Sequence, residues 1–61
     1  MDNETRRNRA ITALEVYSEE DDDLVSNIID LLTDLMHLCK QQELDFHGCL
    51  LSAEINFEAE K

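Results

Sequence analysis

The stretch LVSNIIDLLTDLMHLC, residues 24–39, decides the fold of this chain. Its apolar and polar residues separate onto two halves of a helix when they are projected at about 100° per residue. The apolar half consists of Leu24, Val25, Ile28, Ile29, Leu31, Leu32, Leu35, Met36, Leu38 and Cys39. A surface helix needs an apolar stripe of roughly 100°, whereas this one spans about 180°. We therefore expect more than one neighbour to cover this helix.

The other half of the same helix is polar. It consists of Ser26, Asn27, Asp30, Thr33, Asp34, His37 and Lys40, and we expect these side chains to face water. The helix is predicted over about residues 19–41, with either Ser18 or Asp23 as its N-cap, since both residue types favour that position.

Weaker apolar patterns predict one more helix on each side. The first runs over about residues 4–17, with apolar positions at Ala10, Ala13, Leu14 and Tyr17. The last runs over about residues 46–60 behind an Asp45 N-cap, with an apolar seam of Phe46, Leu50, Ala53 and Phe57. Because the connection at residues 41–45 is short, we expect the second and third helices to be antiparallel neighbours.

The length of the chain makes association the expected source of stability. Sixty-one residues form one domain at most, over residues 1–61, and a single core of this size barely offsets conformational entropy. The prediction is an all-α domain, a short helix followed by an antiparallel helical hairpin, completed into a bundle by homodimerisation. Leu51 and Ile55 lie off the seam of the third helix, and a partner chain is needed to bury them as well. The predicted partner interface consists of Val25, Ile29, Leu32, Met36, Leu51 and Ile55.

The charge of the chain limits its partners. A formal net charge of −10 with five basic residues argues against direct binding to nucleic acid, which requires a basic surface. The acidic run at residues 19–23 leaves an alternative open, an inhibitor that imitates nucleic acid and binds a basic protein. Arg6, Arg7 and Arg9 are interpreted as the solvated face of the first helix, with a nucleic-acid or membrane contact as the weaker interpretation.

Two sets of residues have the chemistry of metal ligands. His37 and Cys39, like His47 and Cys49, are two residues apart and point about 200° away from each other on a helix, so neither pair can chelate. Asp34 and His37 are similar to the Glu-x-x-His units of helical di-metal proteins. The acid pairs Asp30 and Asp34, and Glu54 and Glu58, are similar to those of all-α nucleotide pyrophosphohydrolases, which hold magnesium between helices. Such ligands face a bundle interior, whereas the acids of the central helix are expected in water. We therefore predict no catalytic, cofactor-binding or metal-binding residues and no enzyme, with the metal-dependent pyrophosphohydrolase as the second alternative.

Part of the chain resembles a group of small uncharacterised bacterial proteins associated with phages, plasmids and genomic islands. The matching residues are DLLTDLMHLC at 30–39, LDF at 44–46, and Leu50, Ala53, Phe57 and Glu60. The resemblance implies association with mobile elements and no catalytic residues.

No secretory segment and no membrane-spanning run are evident, so a cytoplasmic protein with reduced thiols and no membrane partner is expected. The predicted function is that of a small acidic, homo-oligomeric, non-enzymatic interaction module.

Overall fold

The computed structural model of the chain describes residues 3–19 and 23–60, which fold into three α-helices. The helices are α1 (Asn3–Ser18), α2 (Leu24–Gln41) and α3 (Phe46–Glu60). Helix α1 packs against α2, and α2 packs against α3 over a smaller area. No strand occurs within these described residues, and the all-α prediction is confirmed.

Helix α2 begins at Leu24, later than the start near residue 19 that the sequence predicts. Its N-cap is Asp23, whose carboxylate accepts hydrogen bonds from the Val25 backbone amide (3.2 Å) and the Ser26 hydroxyl (2.8 Å). Ser18 is not the cap, because it ends α1 and its hydroxyl donates to the Glu15 carbonyl at 2.9 Å. The positions between them, 20–22, lie outside the described residues.

Helix α2 ends in a Schellman motif that turns the chain toward α3. The Leu44 amide donates to the Cys39 carbonyl at 2.8 Å, and the Glu43 amide donates to the Lys40 carbonyl at 3.3 Å. Glu43 has a φ of 58°, the left-handed conformation that this motif requires and that glycine adopts most readily. The connection between α2 and α3 is therefore a defined turn.

Helix α3 begins behind Asp45. The Cys49 amide donates to the Asp45 carbonyl at 3.1 Å, the first bond of the helix, so Asp45 holds the N-cap position as predicted. The Asp45 side chain lies over the first turn, where its Oδ2 atom is 2.8 Å from the place that a Cβ atom on Gly48 would take. Glycine at position 48 thus allows the carboxylate to approach the helix backbone closely.

The contact between α1 and α2 lies at the edge between the apolar and polar halves of α2. Asn27 is 3% exposed, and Leu14, Tyr17 and Leu31 are half-buried. The prediction that Asn27 faces water is therefore wrong, because α1 covers it. On the other side, α2 and α3 bury Cys39 and half-bury Phe46 beside the turn.

The three helices form a flat molecule with little interior. It measures 32 × 31 × 15 Å, so its smallest dimension is less than half of either of the other two. The radius of gyration is 12.8 Å, whereas a compact domain of this length has one of about 10.5 Å. The helices thus form a flat and open arrangement that buries little apolar surface.

Candidate interaction surface

Two strips of apolar side chains are left uncovered by the three helices. The α2 strip consists of Val25, Ile29, Leu32 and Met36, whose side chains are 64%, 55%, 41% and 51% exposed. The α3 strip consists of Leu51 and Ile55, which are 60% and 69% exposed. These are the six residues predicted as a partner interface. In the structure of the single chain, all six remain open to water.

The spacing of the α2 strip is typical of a helix that packs against another helix. Its residues follow one another at intervals of four, three and four, which is the seam of a coiled coil. Such a seam stays on one face of a helix and inserts its side chains between those of a facing helix. The seam stays exposed in the folded chain, although Met36 at its end lines a groove with Phe46 and His47 of α3.

The flanks of the α2 strip carry no acidic residue. Ile28 and Leu35 lie on one flank, and Ser26, Thr33 and Lys40 lie on the other. The acids of the helix, Asp30 and Asp34, lie about 130° and 170° around the helix from the centre of the strip. The most apolar surface of this acidic chain is therefore separated from the acids of its own helix.

Asp34 of α2 forms a hydrogen bond with α1. The Tyr17 hydroxyl donates to the Asp34 Oδ2 atom at 2.6 Å, a short charge-assisted hydrogen bond. This bond raises the pKa of Tyr17, and desolvation and the negative charges of Asp34 and Asp30 raise it further. Asp34 is exposed as predicted, but its carboxylate has a partner on α1 that the sequence pattern did not indicate.

A second polar contact joins α1 to the end of α3. The Arg6 guanidinium donates from Nε to Glu60 Oε1 and from Nη2 to Glu60 Oε2, both at 2.8 Å. This bidentate pair lowers the pKa of Glu60, first through the hydrogen bonds from Arg6 and also through its charge, against the effect of partial burial. The same hydrogen bonds and the charge of Glu60 raise the pKa of Arg6. Arg6 is exposed, as the sequence predicts, but its guanidinium forms an ion pair with Glu60.

One end of the predicted apolar seam of α3 lies beside α2, and the other end lines a cleft with α1. Phe46 is half-buried beside α2, whereas Phe57 is 65% exposed and lines a cleft with α1. Ala53 lines the same cleft, opposite Ala10. The prediction that the whole seam lies against α2 is therefore wrong at the C-terminal end of α3. There the seam lines the cleft between α3 and α1.

The candidate metal ligands lie apart. Among the described residues, no group of three or more histidine, cysteine, aspartate or glutamate side chains is placed to hold a metal ion. Both cysteines are free thiols, with Cys39 buried and Cys49 exposed. His37 and His47 line a shallow groove beside the turn between α2 and α3.

None of the helices in the described ranges is long and apolar enough to cross a membrane. No family model, curated protein or solved structure gives a significant match to this chain.

Proposed function

We propose that this chain is a non-enzymatic helical interaction module that assembles with a second copy of itself through the α2 strip, with the α3 strip as the adjoining surface. The single observation that carries the proposal is the coiled-coil seam of α2, which is open to water on a flat molecule with little interior. A second copy packed on α2 would bury that seam and supply the interior that one chain lacks.

The accessible surface of the chain supports this assembly. It amounts to 5284 Å², whereas a compact protein of 7.1 kDa exposes about 4,100 Å². The excess exceeds the roughly 800 Å² that each partner contributes to a stable protein–protein interface. The chain therefore exposes enough additional surface for a stable dimer.

The charges around the α2 strip favour a second copy over a basic protein as the partner. A basic partner would be recognised by acids at the rim of the apolar surface, because complementary charge at the rim guides association. The flanks of the strip hold Lys40 and uncharged residues. Two copies can therefore approach along this seam while Asp30 and Asp34 of each copy stay on its far side.

Hydrophobic pairing of α2 requires neither a metal nor a substrate, and the absence of enzymatic activity stays a prediction from the sequence. The cytoplasmic location and the association with mobile elements remain predictions from the sequence.

Substitution of Leu32 by aspartate tests the proposal. Leu32→Asp places a charge in the middle of the seam, where it would be buried without a partner in the assembled protein. We expect the mass in sedimentation equilibrium to fall to that of one 7.1 kDa chain, and we expect much of the helical circular dichroism to be lost with it.

The matched control is His37→Asp, which adds the same charge to the polar half of the same helix. This variant should keep both the mass and the helicity of the unmodified chain. Thermal unfolding of the unmodified protein provides a separate criterion, because the midpoint temperature of a dimer rises with protein concentration. A midpoint that does not change with concentration, together with equal effects of the two aspartates, would refute self-assembly through α2.

A further inference from the structure

The cleft between α1 and α3 is a second candidate surface, separate from the α2 strip. Two of its lining residues, Ala53 and Phe57, also line a groove with Leu51 and Ile55 of the α3 strip. It has a volume of about 450 Å³, within the range of about 300–1,000 Å³ that is usual for small-molecule sites. None of the six strip residues lines it. A ligand could therefore enter the cleft while a second copy covers α2.

Apolar side chains form part of the cleft wall, beside the polar side chains of Asn3 and Asn56. Ala10 on α1 faces Ala53 and Phe57 on α3, and the two small alanines leave room between the helices. Phe57 is 65% exposed, so a hydrocarbon or aromatic group placed against its ring would bury apolar surface. These walls favour the apolar part of a ligand.

Of the two arginines that line the cleft, Arg7 is the one that no described residue holds in an ion pair. Arg6 is held by both oxygens of Glu60, which neutralises its charge within the cleft. Arg7 also lines the cleft, and within the described residues it forms no ion pair. A guanidinium binds a carboxylate through two parallel hydrogen bonds. A single unpaired guanidinium matches a single negative charge.

We infer that this cleft binds a small amphiphilic monoanion, a carboxylate attached to a hydrocarbon or aromatic group, with the carboxylate on Arg7 and the apolar group between Ala10, Ala53 and Phe57. Apolar side chains beside a guanidinium that no described residue pairs select such a ligand over a small inorganic anion and over a neutral hydrocarbon. The inference does not depend on self-assembly through α2.

The test is a titration of the full chain, labelled with ¹⁵N, with decanoate, decanol and acetate, monitored by the amide resonances. Decanoate should shift the resonances of Arg7, Ala10, Ala53 and Phe57, and decanol and acetate should each bind at least tenfold more weakly. Arg7→Gln should weaken decanoate binding about tenfold, the usual effect of losing one charge-assisted contact. Ala53→Leu should weaken it as well, because the added side chain fills the cleft.

The matched control is Arg9→Gln, since Arg9 lies in a different groove of α1, beside Thr5 and Thr12. It should leave the affinity for decanoate within twofold of that of the unmodified chain. Equal effects of Arg7→Gln and Arg9→Gln, equal binding of decanoate and decanol, or shifts centred on the α2 strip would overturn the inference. The oligomeric state, measured separately by sedimentation, reports on the proposed function alone.

Discussion

At the scale of the residue, Glu43 carries the least favourable backbone conformation in the described chain. It is the one non-glycine residue there with a positive φ, and it holds that angle so that two amides can cap the end of α2. A side chain with a Cβ atom costs about 1 kcal/mol in this conformation relative to glycine.

Glu43→Gly should therefore stabilise the protein by about 0.5–1 kcal/mol, measured by urea unfolding at fixed protein concentration. Glu43→Ala is the control, because it removes the same charge and keeps the Cβ atom. It should change the stability much less than the glycine variant. An alanine variant as stable as the glycine variant would show that charge, and not backbone conformation, determines the effect.

Tyr17 gives a second prediction at this scale. Because folding raises its pKa, the bond to Asp34 contributes fully below the ordinary tyrosine pKa near 10, and the contribution is lost as the pH rises through the folded pKa. Tyr17→Phe keeps the ring and removes the hydroxyl. The unmodified protein should be more stable than this variant at neutral pH, and the difference should shrink above a pH of about 10, as followed by thermal unfolding. A difference that is constant with pH would contradict the hydrogen bond.

At the scale of the element, the start of α2 depends on one carboxylate. Asp23→Ala removes the oxygens that bind Val25 and Ser26 and should destabilise the protein by about 1 kcal/mol in urea unfolding. Asp23→Asn retains an acceptor and should cost much less. If the two variants were equally destabilised, the effect would come from the charge at the positive end of the helix rather than from the cap.

The elements were predictable to the extent that local chemistry determines them. The repeat of apolar residues predicts the body of α2, and Asp45 predicts the start of α3. The end of α2 was harder to predict, because its left-handed residue is a glutamate, where glycine or asparagine would have marked the motif. The N-cap of α2 had two candidates, Ser18 and Asp23, and only the geometry distinguishes them.

The positions of the helices relative to one another depend on contacts that a helical projection does not contain. A projection assigns Asn27 to the solvent half, yet α1 packs on that edge and buries it. The bond from Tyr17 to Asp34 and the ion pair of Arg6 with Glu60 join residues far apart in sequence. No periodic pattern encodes such pairs, and the cleft that Arg6 and Glu60 line could not be predicted for the same reason.

At the scale of the whole molecule, the open arrangement of the helices exposes a seam on α2 that a second copy can cover. Each chain carries a net charge of −10, so two copies repel each other over long distances, and salt screens that repulsion. Association through apolar side chains should accordingly persist or strengthen as salt is added. An acidic inhibitor bound to a basic protein would instead release its partner as salt is added.

The most direct test of self-assembly through α2 is the mass of the chain in sedimentation equilibrium at micromolar concentration, in low and in high salt. The account predicts a mass at least twice the 7.1 kDa of one chain, undiminished in high salt. A cooperatively folded particle of 7.1 kDa under both conditions would contradict it, since a lone chain would then be stable with its α2 strip open to water.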